Sequence, residues 1–373
     1  MTNKHMPYDL AQMQSLPLRA KIIMSETRIK DWFEHWEGQV YVGFSGGKDS
    51  TVLADLCAKV CKIYGWTLYL VFVNTGLEYP EIQKFVKTYA EWLRETYQIE
   101  VVLDILRPEM RFDEVVKKYG YPVISKEVSQ VVREAKIGLG RNDGSYKYRI
   151  QRITGSGIYA PIDGKKSRYD VSKYRCLLDA PFDVSEQCCK VMKKTPSRRY
   201  AKITGRKPIL GTMASESALR KQRWIKYGCN AFEATGENQS SNPLSFWTEQ
   251  DILHYIKGRD IPYCSVYGEI VFDAYITDSD IDSNQINVID YLGCYEPQDK
   301  LATTGCNRTG CIFCMFGCHL EKGENRFQRL KRTHPKQYEY CINGGEMVDG
   351  KWQPSKEGLG LGKVLDYIGV KYD

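Results

Sequence analysis

YVGFSGGKDS, residues 41–50, is the segment from which the architecture of this chain can be inferred. An apolar run that begins at Val40 has the character of a buried strand, and it breaks at the adjacent glycines Gly46 and Gly47. Beyond Ser50 the apolar residues recur at helical spacing. A strand, a glycine turn and a helix start aim backbone N–H groups at a phosphate, and glycine allows close approach because it has no Cβ. The segment therefore predicts an anion-binding turn.

The turn differs from the common ATP-binding loop, in which a lysine directly precedes the serine or threonine that holds the metal. Here Asp49 stands between Lys48 and Ser50. The six residues SGGKDS instead resemble the PP-loop signature letter for letter. This resemblance implies that the loop binds the pyrophosphate part of an adenine nucleotide and that the chemistry occurs at the α-phosphate. The alternative is a plain Gly-Gly turn between a strand and a helix.

Strand and helix signals alternate after the loop. Residues 68–73 and 99–106 have the apolar character of buried parallel strands, and Pro80 marks the start of the intervening helix. This alternation predicts an α/β fold with a doubly wound, mostly parallel sheet. A nucleotide is then expected at the carboxyl ends of the strands, where Asn74, Thr75 and Gly76 follow the second strand.

Length and composition limit the remaining possibilities. The 373 residues are enough for two domains, or for one large domain with insertions. We predict a helical segment at 1–37, a PP-loop α/β domain at 38–275 with a basic insertion at 138–175, and a Cys-rich region at 276–373. The apolar runs are too short to cross a membrane, and the first ten residues contain no apolar signal core. We therefore expect a soluble cytoplasmic protein without a membrane partner.

The net charge of +7 is distributed unevenly. Between residues 138 and 207 there are seventeen Lys and Arg but six Asp and Glu, so the rest of the chain is about four units negative. The same segment contains several tyrosines and no clear period. It is predicted to bind an anionic partner. A solvated basic surface, or a patch that serves only the small nucleotide, is the alternative.

The thirteen cysteines indicate a metal or cluster site. An odd count, the absence of a signal core and a tight cluster near residue 310 argue against a disulfide framework. One group is the pair Cys188-Cys189, and the other is CNRTGCIFCMFGC at 306–318, in which two cysteines form a CxxC. CxxC spacing occurs in both zinc and iron–sulfur sites, so the spacing leaves the metal and the choice of four ligands open.

Several further stretches resemble the PAPS-reductase family, a branch of the PP-loop ATP pyrophosphatases. In the family's order they are SGGKDS (45–50), NTGLEYPE (74–81), QCCKVMKKTP (187–196), ILGTMASESALR (209–220), PLSFWTEQDILHYI (243–256) and RTGCIFC (308–314). This resemblance implies a [4Fe–4S] cluster held by Cys188, Cys189, Cys311 and Cys314. A structural zinc or unligated redox thiols are the alternatives, and the reserve ligands are Cys306, Cys318, Cys229 and Cys294.

The same resemblance assigns roles around the nucleotide. Phosphates are expected to bind Ser45, Gly46, Gly47, Lys48, Asp49 and Ser50, and the nucleotide is expected to lie along Asn74, Thr75 and Gly76. Ser217 and Arg220 are expected to face the sulfate or pyrophosphate end, because a guanidinium makes paired hydrogen bonds to oxyanions. Lys48, Asp49 and Arg220 are the candidate catalytic residues, and Asp49 would orient Mg²⁺ or a water.

One motif of the sulfate-assimilating members is missing. Those enzymes end in a Glu-Cys-Gly nucleophile motif, whereas this chain ends VLDYIGVKYD and its last cysteine, Cys341, lies in YEYCINGGE. This difference argues against reduction of APS or PAPS, with Cys341 as the remaining candidate nucleophile.

Three functions remain. The first is cleavage of ATP at the α-phosphate with iron–sulfur-dependent sulfur transfer to nucleic acid, as in tRNA thiolases or DNA phosphorothioation systems. The segment 138–207 would then bind phosphates and stack bases, and a sulfur donor protein is a further expected partner. The second is APS or PAPS reduction, and the third is a nucleotide-sensing module without catalysis.

Overall fold

The computed structural model describes residues 3–272 and 300–373. The predicted acidic stretch at 278–298, the reserve ligand Cys294 and the boundary after residue 275 lie outside these residues. Contacts divide the chain into two compact units. The first unit is Met1–Asn74, Glu78–Leu106 and Ser197–Thr309, and the second is Thr75–Leu77, Arg107–Pro196 and Gly310–Asp373. This division follows boundaries other than those of the three segments inferred from the sequence. Those segments stay a prediction.

The α-helices are numbered in chain order over the described residues. They are Pro7–Gln14 (α1), Leu18–His35 (α2), Lys48–Tyr64 (α3), Pro80–Tyr97 (α4), Phe112–Tyr119 (α5), Lys126–Arg141 (α6), Lys147–Thr154 (α7), Thr195–Thr204 (α8), Ala218–Tyr227 (α9), Glu249–Arg259 (α10), Arg326–Thr333 (α11), Pro335–Ile342 (α12) and Leu361–Tyr367 (α13). Within the described part of the chain, no helix combines the length and apolar character needed to span a bilayer.

A four-stranded sheet forms the centre of the first unit. Over the described residues of both units, the strands in chain order are Val40–Gly43 (β1), Leu68–Val73 (β2), Val101–Leu106 (β3), Val123–Ile124 (β4), Lys207–Leu210 (β5), Ile270–Phe272 (β6), Leu301–Thr303 (β7), Met315–Phe316 (β8), Glu346–Val348 (β9) and Lys351–Gln353 (β10). The sheet has the order β3-β2-β1-β5, and all of its pairs are parallel. The predicted α/β class with a parallel central sheet is confirmed.

Helix α3 packs behind the loop because its apolar residues are almost completely enclosed. Val52, Leu53 and Leu56 have no exposed surface. Cys57 and Cys61 are also fully buried, as their position in the apolar pattern predicts, and burial raises the pKa of both thiols. The first turn of α3 is therefore held rigidly at the end of β1.

The N-terminal helix α2 is fixed to α10 by a buried ion pair. Lys21 Nζ lies 2.8 Å from both carboxylate oxygens of Asp251, and the two residues are 2% and 8% exposed. Charges removed from water are tolerated only when they are paired, so the loss of one partner leaves an uncompensated buried charge.

Lys21→Met is expected to lower the free energy of unfolding by about 3 kcal/mol, since it strands the Asp251 carboxylate in the core. Urea unfolding followed by tryptophan fluorescence measures the change. Lys30→Met is the matched control on the same helix, because Lys30 pairs with Glu34 at 3.2 Å on the surface. The control should cost less than about 0.5 kcal/mol. Equal losses in the two variants would contradict a special role for the buried pair.

The basic segment 138–175 contains helix α7, which the sequence pattern did not reveal. Two ion pairs join α7 to α6: Arg149 Nε lies 2.6 Å from Glu134 Oε2, and Arg152 Nη2 lies 2.5 Å from Glu127 Oε1. The helix has only eight residues, so tertiary contacts stabilise it, including these ion pairs and the burial of Ile153.

Candidate functional site

The loop SGGKDS lines a cavity of about 340 Å³ in the first unit. The lining residues come from the ends of β1 and β5, from the loop, from the start of α9 and from two later segments. They are Gly43, Ser45, Gly47, Lys48, Asp49, Ser50, Leu210, Gly211, Thr212, Glu216, Arg220, Tyr267, Arg308 and Thr309. The cavity therefore lies at the carboxyl ends of parallel strands, the usual location of ligands in open α/β sheets.

Both glycines of the loop are required by their surroundings. Gly46 has a φ of +72°, and a Cβ there would lie 2.9 Å from a methyl group of Val86. Gly47 has an ordinary φ of −78°, but a Cβ there would lie 2.8 Å from Thr309 Oγ1. The residue at 46 needs glycine for its conformation, whereas the residue at 47 needs it for space beside the cavity.

Helix α3 begins inside the loop and provides the positive end of its dipole. Gly47 is the N-cap and offers no side-chain acceptor to the N–H groups of the first turn, and Lys48, Asp49 and Ser50 of that turn line the cavity. The N–H of Lys48 donates to the Tyr267 hydroxyl at 3.0 Å, and that hydroxyl lies 2.9 Å from Thr309 Oγ1. One N–H donor of the loop, that of Lys48, is thus already hydrogen-bonded to a protein hydroxyl.

The Lys48 ammonium is buried and bound by protein groups. Its Nζ lies 3.0 Å from both the Asn307 carbonyl oxygen and Glu249 Oε1, and 3.6 Å from Asp49 Oδ1. In this conformation the ammonium ties the loop to the segment around residue 307. Its expected contact with the β,γ-phosphates stays a prediction.

Asp49 has the properties expected of a magnesium ligand. Its Oδ1 is buried and has no hydrogen-bond partner among residues 3–272 and 300–373, although the side chain borders the cavity. Burial raises the pKa of this carboxyl, and the neighbouring Lys48 charge opposes that rise. Mg²⁺ is commonly held by one or two carboxylates together with substrate phosphates. The residues present therefore fit a nucleotide-bound Mg²⁺.

Two arginines share one carboxylate on the cavity wall. Arg220 forms an ion pair with Glu216, and Arg308 Nη1 lies 3.5 Å from the other oxygen of the same carboxylate. Burial lowers the pKa of Arg220, and the charge of Arg308 lowers it further. Arg220 was predicted at this site, whereas Glu216 and Arg308 were not.

The four predicted cluster ligands are neighbours in the second unit. The Cys188 thiol hydrogen-bonds to the Cys189 sulfur, which raises the pKa of Cys188 and lowers that of Cys189. The charges of Cys311 and Cys314 also raise the pKa of Cys188, so all four sulfurs interact. The positive charge of Lys126 further stabilises the Cys189 thiolate.

The donor set is that of an iron–sulfur or zinc site. Over the described ranges, no group of three or more His, Cys, Asp or Glu side chains is arranged to hold a single metal ion. One zinc ion needs four ligands around one atom, whereas each iron of a [4Fe–4S] cluster takes one thiolate. The residues present therefore fit a thiolate-bound group, and the choice between a cluster and zinc stays a prediction.

The reserve ligands in the described part of the chain differ in their surroundings. The thiol of Cys318 donates to the Met315 carbonyl at 3.0 Å and is buried. Cys306 and Cys229 belong to the first unit. Burial raises the pKa of the Cys318 thiol and the charge of Cys314 raises it further, so Cys318 lies beside the predicted ligands and stays a reserve ligand.

Comparison with known proteins gives the family. The sequence profile described as "Phosphoadenosine phosphosulfate reductase domain" matches residues 39–138 and 160–315, which is more than half of the chain. The chain belongs to this family. This membership places the chain among the PP-loop enzymes that use adenine nucleotides. The profile leaves out residues 139–159, which lie within the predicted basic insertion.

A curated relative adds little about the activity of this chain. An uncharacterized protein of Methanocaldococcus jannaschii is 40% identical over 94 residues. The aligned part is 25% of this chain and 18% of the relative, so the chain spans less than a fifth of that protein's length.

Other residues predicted to bind the nucleotide lie outside the cavity lining. The backbone N–H of Asn74 donates to the Leu106 carbonyl at 2.8 Å, and Ser217 caps α9 by accepting from the N–H of Arg220. Thr75 and Gly76 follow β2 and belong to the second unit. Their place along the nucleotide stays a prediction.

Proposed function

We propose that this protein uses ATP to activate an oxygen atom of a nucleic acid and supports its replacement by sulfur with an iron–sulfur cluster. The observation that carries the proposal is that the SGGKDS loop, which includes Asp49, and Arg220 line the same cavity. Nucleotide chemistry at the α-phosphate needs these elements together: donors for the leaving pyrophosphate, a metal ligand and a cation for the developing charge.

The first step forms a bond between the substrate oxygen and the α-phosphorus, and breaks the bond to the β-phosphate oxygen. The loop N–H groups and the Ser45 and Ser50 hydroxyls bind the departing pyrophosphate. Asp49 would hold a Mg²⁺, which would screen the phosphate charge. The product is an adenylated oxygen, which is a good leaving group. Charge neutralisation supplies most of the rate, because none of the described residues that line the cavity is a histidine.

In the second step a sulfur nucleophile attacks the activated carbon or phosphorus, and AMP leaves with the oxygen. Cys188, Cys189, Cys311 and Cys314 would hold a [4Fe–4S] cluster, which would hold or pass sulfur. Lys126 and Arg326 stabilise this region: Lys126 acts on Cys189, and Arg326 Nη1 donates to the Cys314 carbonyl at 2.8 Å. Both cations would offset the negative charge of a thiolate-bound cluster.

The basic segment supports a nucleic-acid partner. Around α7 it exposes Tyr146, Tyr148 and Tyr169, and Tyr148 is 62% exposed. Many of the neighbouring cations are exposed as well: Arg141, Lys147, Lys165, Lys166, Arg168, Lys173 and Arg175. Exposed aromatic rings among cations suit unpaired bases, since each base stacks through its π-face while its phosphates meet the charges.

Tyr148→Ala is expected to weaken binding of a single-stranded oligonucleotide about tenfold, because it removes one stacking surface. Fluorescence anisotropy at fixed salt measures the affinity. Tyr8→Ala is the matched control, since Tyr8 is also 62% exposed but lies on α1, outside the basic segment. Equal affinities for Tyr148→Ala and Tyr8→Ala would remove α7 from the interface.

The reductase alternative receives less support. Its remaining nucleophile candidate, Cys341, lies on α12 with no exposed surface, and burial raises its pKa well above the usual value. A nucleophilic cysteine needs an accessible thiolate. Sulfite release from APS or PAPS that disappears in Cys341→Ser would restore this alternative.

The test of the proposed function is pyrophosphate release from ATP by anaerobically purified full-length protein. We expect release that increases when tRNA or DNA is added and a thiolated product when a sulfur donor is present. If the protein bound ATP tightly but released no pyrophosphate with any tRNA or DNA, the proposed function would be wrong and the nucleotide-sensing alternative would remain.

A further inference from the structure

The Lys48 ammonium is bound by protein acceptors rather than by solvent. Its side chain is 3% exposed, and its Nζ donates to the Asn307 carbonyl oxygen at 3.0 Å. The same nitrogen lies 3.0 Å from Glu249 Oε1 and 3.6 Å from Asp49 Oδ1. An ammonium has three N–H donors, so two close acceptors and a third nearby carboxylate can use all of them. Little donor capacity is left for a ligand in the cavity.

Two of these three acceptors come from outside the cavity lining. Glu249 and Asn307 are not among the described residues that line the cavity, although Lys48 is. Glu249 is the first residue of α10, and a capping box that begins at Thr248 fixes the first turn of that helix. The ion pair therefore joins the first residue of α3 to the first residue of α10, and it ties the loop to a second helix.

The backbone of Lys48 is held by the same part of the first unit. Its N–H donates to the Tyr267 hydroxyl at 3.0 Å, and Tyr267 is 2% exposed. The segment around Tyr267 is in turn hydrogen-bonded to the residues that precede Asn307, since the N–H of Gly305 donates to the Tyr267 carbonyl at 2.8 Å. Residue 48 is therefore anchored twice, through its amide and through its ammonium.

Moving the ammonium to a phosphate would break these contacts. The Asn307 carbonyl oxygen would lose a charge-assisted hydrogen bond, and Glu249 would lose its ion pair. The buried Asp49 carboxylate would lose a positive charge that lies 3.6 Å away. The contacts therefore favour an ammonium that keeps its position when a nucleotide binds.

We infer that Lys48 is a positioning residue of the SGGKDS loop, held by Glu249 and Asn307, and that it shapes the nucleotide site without binding the phosphates itself. This role rests on the proposed nucleotide cavity and differs from the phosphate contact predicted for Lys48. It adds Glu249 to the residues on which nucleotide affinity depends. The phosphates are then bound by other donors of the loop, among them the hydroxyls of Ser45 and Ser50, which line the cavity.

The experiment measures ATP binding to the full-length protein by calorimetric titration at constant Mg²⁺ and ionic strength. Glu249→Asp keeps the charge but shortens the side chain by one methylene, so it draws the carboxylate away from Lys48. A positioning role predicts that this variant binds ATP about fivefold more weakly, because the loop loses one of its anchors. If Lys48 binds the phosphates instead, Glu249 competes for it, and the same variant binds ATP more tightly. Unchanged or tighter binding in Glu249→Asp would overturn the positioning role.

Lys48→Met tests whether the two residues act together. It should weaken ATP binding about tenfold, and adding Glu249→Asp should cause no further loss, because the anchor is already broken. Thermal midpoints show whether each variant is folded, and Glu249→Asp alone decides the role if Lys48→Met is not. Losses that multiply in the double variant would show that Glu249 acts without Lys48, and would contradict the pairing.

Glu26→Asp is the matched control. Glu26 pairs with Lys59 of the same helix α3, and neither residue is among the described residues that line the cavity. This variant should bind ATP like the unmodified protein, and a loss equal to that in Glu249→Asp would contradict a specific role for Lys48.

Pyrophosphate release by the unmodified protein is measured separately. If the protein binds ATP but releases no pyrophosphate, the proposed function fails, and the affinities of the variants still decide the role of Lys48. If the unmodified protein does not bind ATP, both the proposed function and the positioning role are overturned.

Discussion

Gly47→Ala is expected to weaken ATP binding by about 100-fold or more, the value of roughly two lost charge-assisted hydrogen bonds. The backbone φ at this residue is compatible with alanine, so the effect arises from the added methyl group. That group would lie 2.8 Å from Thr309 Oγ1 and 3.3 Å from the Tyr267 hydroxyl, and would force the loop and the facing segment apart. Calorimetric titration with ATP and Mg²⁺ measures the loss.

Gly258→Ala provides the control for this substitution. Gly258 is exposed on α10, and a Cβ there would meet nothing within 4 Å. Alanine in an exposed helix is slightly stabilising, so this variant should bind ATP like the unmodified protein. The thermal midpoints of both variants show whether the fold is kept. ATP affinity that survives in Gly47→Ala would mean that the nucleotide binds elsewhere.

The parts of the site that the sequence predicted are local. The SGGKDS residues are contiguous, and their spacing alone places a glycine turn before a helix, which the structure has at α3. The apolar runs likewise predicted β2 and the parallel sheet, because a strand buried on both faces has few polar residues. Short-range patterns sufficed wherever the backbone itself forms the site.

The parts that the sequence missed depend on contacts between distant residues. Tyr267 reaches the Lys48 N–H across 219 positions, and Arg308 reaches Glu216 across 92. A tyrosine, an arginine and a glutamate have no spacing that marks them as partners, since only the fold brings them together. The sequence did not predict helix α7 either, because ion pairs to helix α6 stabilise it.

The four cysteines provide the second large effect. Single substitution of Cys188, Cys189, Cys311 or Cys314 by serine is expected to remove most of the iron from a protein that otherwise carries about four irons per chain. Each cysteine would bind one iron, so every loss leaves one iron without its thiolate. Elemental analysis and visible absorption of anaerobically purified protein measure the cluster directly, without an activity assay.

Cys318→Ser separates ligation from general damage to this region. Cys318 lies four residues beyond Cys314 and is buried, but its thiol already donates to the Met315 carbonyl at 3.0 Å. A serine hydroxyl can make the same hydrogen bond, so this variant should keep its iron. Iron loss in Cys318→Ser equal to that in Cys314→Ser would show that the ligand set is wrong. If the unmodified protein contained one zinc per chain, the site would be a structural zinc site and not a cluster.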